Sequence, residues 1–411
     1  MELIAKLSLL ADAAKYDASC ASSAAPKRNS RNREGLGAST GGGICHSYTP
    51  DGRCVALLKI LLTNFCLYDC QYCINRRSSD VPRARFSVDE VVRLTLDFYQ
   101  RNYVSGLFLS SGIIRSPDYT MEQLVAVARS LREQHQFRGY IHLKTIPEAD
   151  PALVAAAGRY ADRVSVNIEL PRQEGLQRLA PEKSLSTIHS AMGVIHQAGE
   201  THRHATPSFS GRKPARLAPA GQSTQMIVGA DDSSDAQVLT TAENLYQRFK
   251  LRRVYYSAYS PIPGAPGTVP HQPPPLLREH RLYQADHLIR LYGFGAGELL
   301  AGTTTLALDL DPKLAWALNH RDQFPVDLNL APEQLIARVP GIGLRSAQRL
   351  VMLRRRRAVC FDDLVRLRCV VRKAQPFIVT RDYRPSRAEP ESARLARQLR
   401  DPVPEQLGLW G

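Results

Sequence analysis

The stretch Val55-Ala-Leu-Leu-Lys-Ile-Leu-Leu62-Thr-Asn-Phe-Cys66-Leu-Tyr-Asp-Cys70-Gln-Tyr-Cys73 decides how this 411-residue chain is read. Its first eight residues form an apolar run broken only by Lys59, the pattern of a strand buried on both faces. Three cysteines follow at once, spaced C-x3-C-x2-C. The chain has 8 cysteines, and those at positions 20, 45, 54, 66, 70 and 73 crowd into its first fifth, with Cys360 and Cys369 far behind. In a reducing compartment such crowding points to metal ligation before disulfides. Three thiolates on one tight loop suit three irons of a [4Fe–4S] cube. The fourth iron is then open to a chelating amine and carboxylate, the pair that the methionine part of S-adenosylmethionine offers. One electron from the cluster can break a carbon–sulfur bond there and release an adenosyl radical. The competing readings are a structural zinc knuckle and three unrelated buried thiols. Zinc needs a fourth ligand, and no His or Cys follows Cys73 at short spacing.

Outward from this loop, short apolar or β-branched runs alternate with longer helical patterns from Val55 to Tyr292, the sign of repeated βα units around a parallel sheet. Six strands are expected: Val55 to Leu62, Gly106 to Ser110, Tyr140 to Thr145, Arg163 to Leu170, Thr224 to Gly229 and Arg253 to Tyr259. Helices are expected over Val88 to Asn102, Met121 to Gln136, Ser186 to Gln197, Ala236 to Phe249 and Leu277 to Tyr292. Six units are too few for a closed eight-fold barrel, so the choice lies between an open partial barrel and a doubly wound sheet. Three stretches interrupt the alternation. Pro26 to Gly43 reads as a mobile loop, His204 to Gln222 as a long loop or lid, and Ser260 to Pro275 is rich in proline.

Composition narrows the partners. With 54 Lys or Arg against 39 Asp or Glu, the formal charge is +15 and the pI is about 9.6. No apolar run approaches the ~18 residues that a membrane span requires. The start of the chain lacks the pattern of a secretory signal, so a cytoplasmic location is expected. From Ala331 to Gly411 there are 17 basic and 8 acidic residues, so +9 of the +15 lies there. That region centres on Val339-Pro-Gly341-Ile342-Gly343-Leu-Arg345-Ser346-Ala347, a glycine turn between two helical patterns. Backbone N–H groups at the start of the second helix make an anion site suited to phosphate. The motif resembles the helix-hairpin-helix module, which grips the DNA backbone without reading sequence, and on that resemblance Gly341, Ile342, Gly343, Arg345 and Ser346 are the DNA-binding candidates. Arg354 to Arg357 are expected to extend the positive surface, and a second, degenerate hairpin is expected near Cys360 to Leu364. The competing reading is a solvated basic helix.

The cysteine loop after the first strand resembles that of the radical S-adenosylmethionine superfamily over roughly Val55 to Tyr292. The resemblance implies a partial (β/α)6 barrel, a [4Fe–4S] cluster on Cys66, Cys70 and Cys73, and S-adenosylmethionine as cofactor. It also implies an electron donor such as flavodoxin or ferredoxin. Tyr72 matches a position that packs near the adenine. Ser110-Ser111-Gly112 stands where the family often has Gly-Gly-Glu for the methionine amine; Ile113 follows here, so backbone carbonyls and the serine hydroxyls would do that work. Asn167 and Glu169 are expected to share one strand face, where the resemblance implies polar contacts to the ribose and the methionine amine. Gly229 ends the strand resembling the one that lines the adenine, and Lys144 is either a carboxylate contact or a snorkelling lysine. Cys20, Cys45 and Cys54, with His46, are candidates for a second cluster or simply buried thiols.

More narrowly, Ala11 to Cys20, Ile44 to Gly52, Asn75-Arg76-Arg77, Arg115-Ser-Pro-Asp-Tyr119 and the terminal glycine turn together resemble a bacterial family described as putative DNA modification or repair radical S-adenosylmethionine proteins. That family is associated with a uracil-DNA-glycosylase-like partner. The expected organisation is an N-terminal extension (1–54), a partial barrel (55–296), a connecting helical segment (297–330), an all-α helix-hairpin-helix module (331–380) and a basic tail (381–411). The expected activity is radical chemistry on DNA. The alternatives are RNA modification, and a DNA-binding protein whose cluster is structural or lost.

Overall fold

The computed structural model describes residues 1–14, 28–29, 38–39, 44–48, 54–204, 217–385 and 392–400, with backbone only at 28–29, 38–39, 44–48, 54–55 and 202–204. It divides into two compact units: Met1–Ser233 with Asn244–Pro274, and Ser234–Glu243 with Pro275–Gly411. The helix at Leu276–Tyr292, expected with the barrel segment, groups with the second unit.

The first unit is built on a seven-stranded sheet: β1 (Ile44–Tyr48), β2 (Cys54–Leu61), β3 (Gly106–Ser110), β4 (Tyr140–Lys144), β5 (Arg163–Ser165), β6 (Gly221–Val228) and β7 (Arg253–Ala258), hydrogen-bonded in that order. From β2 to β7 every neighbour is parallel, giving a curled six-stranded half-barrel. β1 is an added antiparallel edge strand, pairing Ile44 with Leu58 and Tyr48 with Cys54. Cys45 and Cys54 therefore lie in adjacent strands, while Cys20 and most of the expected loops at 26–43 and 204–222 lie outside the described residues.

Helices cover the sheet because their ends are well specified. Ser87 and Glu90 form a capping box before α2 (Val88–Gln100), and Lys6 of α1 (Leu3–Ala14) pairs with Glu90 at 2.8 Å. Ser116 caps α3 (Pro117–Arg129) and Asp150 caps α4 (Pro151–Tyr160), each with proline in the first turn. The alanine-rich α4 and the short α5 (Gln173–Leu179) were not anticipated, and α6 (Leu185–His204) runs longer than its periodic segment.

The fourth parallel strand departs from expectation. It ends at Ser165 instead of reaching Leu170, because one extra residue intrudes: Ser165 pairs with Ser223, but Glu169 bridges to Met226. The Thr224 hydroxyl accepts the Ile168 N–H at 2.9 Å in place of a backbone partner, and Glu169 sits at φ +65. This is a β-bulge in a parallel pair, a device that re-aims side chains beside functional sites.

The second unit contains the first turns of α7 (Asp235–Phe249), then α8 (Leu276–Tyr292), α9 (Ala296–Leu300) and α10 (Pro312–Asn319), and two short hairpins. Trp316 is fully buried at its centre, edge-on to Phe294 at 5.0 Å and stacked on His320 at 4.9 Å. The first hairpin joins α11 (Glu333–Arg338) to α12 (Leu344–Arg354), and the second joins α13 (Phe361–Arg366) to α14 (Val371–Ala374). Their turns pack on each other: the Val370 N–H donates to the Gly341 carbonyl at 2.9 Å.

Under the first turn lies Lys313, buried, its ammonium donating to the Ile342 carbonyl at 2.6 Å and standing 4.7 Å from the Tyr292 ring centre. Burial pulls its pKa from 10.5 down to about 7, against the raising effect of Asp311. Between those values the unfolded chain binds a proton that the folded chain does not, so stability should rise with pH across that window. Denaturant unfolding at pH 7 and pH 9 should show a gain on the order of 2 kcal/mol. The gain should vanish in Lys313→Met; a gain of equal size in that variant would assign it to other groups.

Candidate active site

β2 delivers the chain to the cysteine loop, and the loop is pinned on several sides. Leu62 N–H donates to the Ser110 carbonyl, Gly112 N–H to Thr63 and Leu67 N–H to Ile113, each at 2.8 Å. Arg83, a residue that sequence reading did not single out, donates to the carbonyls of Asn64, Asn75 (2.9 Å), Arg76 (2.6 Å) and Ser79 (2.8 Å). Five fixed donors on one planar group allow this bracing of a loop without regular structure. The far end is tied by Gln71 N–H to the Leu179 carbonyl at 2.7 Å and Cys73 N–H to Cys70 at 2.9 Å. Gly112 is required by this closeness, since a Cβ there would stand 2.2 Å from the Phe65 carbonyl oxygen.

Cys66, Cys70 and Cys73 all line one cleft that opens to solvent. Among the described residues, no three His, Cys, Asp or Glu side chains converge on one ion position. Three thiols around a shared cleft match the three protein ligands of a [4Fe–4S] cube with one open iron. Burial pushes the Cys73 thiol up to about 11 and the Cys70 thiol higher still, so these two stay protonated until a metal displaces their protons.

Around the cysteines the cleft gathers most of the predicted residues: Tyr72, Ser110, Ser111, Gly112, Lys144, Asn167 and Glu169. The Ser110 hydroxyl and the Tyr72 phenol are buried without hydrogen-bond partners, which fits walls shaped for a polar ligand. Ser111 differs, for its hydroxyl donates to the Gly112 carbonyl at 2.6 Å. Asn167 donates to Gln225 at 3.4 Å. Gly229 does not line the cleft; Gln225 and Ile227 of β6 do, and Gly229 instead makes a bend at φ +79 where a Cβ would press on Pro274.

Two further charged residues line the cleft, and neither was picked out from sequence. Lys183 donates to Glu169 at 2.6 Å; burial opposes its charge, but Glu169, the strongest of the raising influences, helps hold its pKa well above the ordinary value. Glu148, on the segment after β4, lines the cleft beside Lys144, Thr145 and Ile146. The available signal was positional: both follow elements at the carboxyl ends of the parallel strands, where such folds place functional side chains.

In the second unit, Gly341 takes φ +79 and a Cβ there would lie 2.4 Å from the Val370 carbonyl oxygen, whereas Gly343 takes φ −87 with only Tyr292 Oη near, at 3.8 Å. Arg345 is exposed. Ile342 is core, with its carbonyl held by Lys313 and its N–H donating to Val339, and the Ser346 hydroxyl donates to Leu367. The arginine run is not wholly free surface as expected. Arg354 donates to the Ala331 carbonyl at 2.6 Å and Arg357 makes a bidentate pair with Asp363, leaving Arg355 and Arg356 as the exposed, unengaged members.

Residues 60–206 match the family model described as the Radical SAM superfamily. This part of the chain matches a radical SAM domain, and members of the superfamily use a [4Fe–4S] cluster and S-adenosylmethionine. Among solved structures, the chain is similar to the FeFe-hydrogenase maturase HydG from Carboxydothermus hydrogenoformans, with 16% identity, coverage of 60% of this chain and 56% of that one, and a TM-score of 0.44. A second HydG structure shows 13% identity, coverage of 56% and 48%, and a TM-score of 0.42. Methylornithine synthase shows 14% identity, coverage of 62% and 71%, and a TM-score of 0.41. The chain thus spans about half the length of the HydG proteins. A search of curated proteins finds no match. No helix among the described residues is long and apolar enough to cross a membrane.

Proposed function

We propose that the protein cleaves S-adenosylmethionine reductively and uses the resulting radical on a base or sugar of DNA. The observation that carries the first half is the cysteine loop, braced by Arg83 and opening into a cleft walled by unpartnered polar groups. Cys66, Cys70 and Cys73 would hold the cluster, which supplies the electron for breaking the carbon–sulfur bond. The protein's own part is to orient the bound molecule and keep water from it. Tyr72, Ser110 and the Lys183–Glu169 pair, which line the cleft, would do so.

The DNA half rests on the glycine turn of the second unit and the basic residues beyond Ala331. We read α11 to α14 as a helix-hairpin-helix module whose first-turn N–H groups at Gly343 to Arg345 take a phosphate. A target nucleotide inside a duplex would have to leave the stack to reach a cleft of this kind. The electron donor is proposed to be a flavodoxin or ferredoxin, and a uracil-DNA-glycosylase-like protein is the proposed partner. The test is anaerobic reconstitution with iron and sulfide, then dithionite and S-adenosylmethionine. Formation of 5′-deoxyadenosine is expected, and cluster-loaded protein that makes none would sink the radical reading. Nucleoside mass spectrometry of DNA from cells with and without the protein should then reveal the altered nucleotide.

A further inference from the structure

The cleft contains one acidic group with no partner. Both carboxylate oxygens of Glu148 are shut off from solvent and neither has a hydrogen-bond partner. Desolvation raises its pKa, while the Lys183 charge and a contact from its own backbone N–H pull the other way. Lys183 is committed to Glu169 at 2.6 Å. A buried carboxyl left in this state costs free energy that the fold does not recover. A molecule in the cleft that brings N–H or O–H donors would supply that partner.

The cysteine loop, on the reading given above, brings S-adenosylmethionine to this cleft. That molecule carries a cationic sulfonium and an α-amino group, which would keep two N–H bonds with its lone pair on the iron. A sulfonium has no hydrogen to donate, whereas the amino group has these two. The turn after β3 offers little competition: Ile113 is apolar and the Ser111 hydroxyl is already spent on Gly112. From this we propose that Glu148 is the acceptor for the α-amino N–H groups of S-adenosylmethionine, so that the acidic end of the cofactor pocket is supplied by the segment after β4.

The inference rests on the radical SAM reading but fails separately from it. Equilibrium dialysis of labelled S-adenosylmethionine against reconstituted wild-type protein, Glu148→Met and Glu148→Gln reads it directly. Glu148→Met should weaken binding by roughly 10- to 100-fold. Glu148→Gln should lose less, because its amide oxygen still accepts. The analogue in which hydrogen replaces the α-amino group should bind all three proteins equally. Iron content should match in all three, and the apoprotein of Glu148→Met should melt no lower than wild type, since the change removes an unsatisfied buried group. Equal losses for cofactor and analogue would overturn the assignment in favour of a structural role. So would unchanged cofactor affinity combined with weaker retention of a mixed-sequence single-stranded oligonucleotide, which would assign Glu148 to an amine of the substrate. If wild-type protein binds neither compound, the radical reading falls and takes this inference with it; if wild type binds the cofactor and Glu148→Met binds it as well, the inference alone falls.

Discussion

Cys70→Ala protein, reconstituted anaerobically beside wild type, should contain less than one iron per chain in place of four and form no detectable 5′-deoxyadenosine. The reason is a count of donors. A [4Fe–4S] cluster that leaves one iron open needs three thiolates from the protein. Among the described residues the cleft contains Cys66, Cys70 and Cys73 and no other cysteine. Removing any one leaves two, and a two-point attachment exposes the cluster to solvent and loss. Cys70 is the most informative choice because it is buried and its carbonyl accepts the Cys73 N–H at 2.9 Å, a backbone contact that alanine preserves. The loop should therefore keep its fold while losing its metal. Cys360→Ala is the matching control: this thiol lies in the second unit, near the Ala358 carbonyl at 3.9 Å, and its loss should leave iron content unchanged. Equal iron in Cys70→Ala and wild type, measured with the bathophenanthroline assay and the absorbance near 400 nm, would mean that the triplet is not the cluster site.

Some of this architecture was legible because its causes are local. The continuous apolar runs of β2 and β3 follow from burial on both faces of a parallel sheet, so their limits lie within a residue of those read from composition. The cysteine spacing is equally local, since three residues within eight positions share one loop whatever the rest of the chain does. What escaped the sequence is what depends on a neighbour in space. The fourth parallel strand looked like eight residues of alternation, but its pairing is settled by the Thr224 hydroxyl taking the Ile168 N–H, and nothing in residues 163–170 shows that. Arg83 looked like one arginine among many until four carbonyls gathered around it. Lys183 and Glu148 are polar residues in loops, and only the closing of the sheet brings them to the cysteines. The arginine run from 354 to 357 shows the same limit from the other side, because charge can be counted from sequence but not how much of it Ala331 and Asp363 consume.

Gly343→Asp should abolish duplex DNA binding at physiological salt while leaving the second unit as stable as before or slightly more so. The two glycines of the turn do different things. At Gly341 the backbone is left-handed and a Cβ would collide with the Val370 carbonyl, so any side chain there breaks the packing of the two hairpins and its effect on DNA would be confounded with unfolding. At Gly343 the backbone is extended, φ −87 and ψ 165, and a Cβ meets nothing closer than the Tyr292 hydroxyl at 3.8 Å. Gly343 is also the N-cap of α12, a position where aspartate is among the preferred residues and accepts the first-turn N–H groups. The substituted carboxylate would thus occupy the hydrogen bonds proposed for a phosphate and repel the phosphate as well. A loss of roughly 100-fold or more in affinity is expected from removing a charge-assisted contact and adding a like charge. For the wild-type protein, log affinity should fall linearly with log salt, with a slope of about −0.9 for each phosphate neutralised. Arg345→Ala should weaken binding evenly across sequences and lessen that slope by about one, because an exposed arginine on the backbone positions without reading bases. Fluorescence anisotropy with a labelled duplex, and with a labelled tRNA in parallel, separates the cases. If Gly343→Asp binds the duplex as wild type does, the turn does not grip DNA; if it loses only the tRNA, the polyanion this unit serves is RNA.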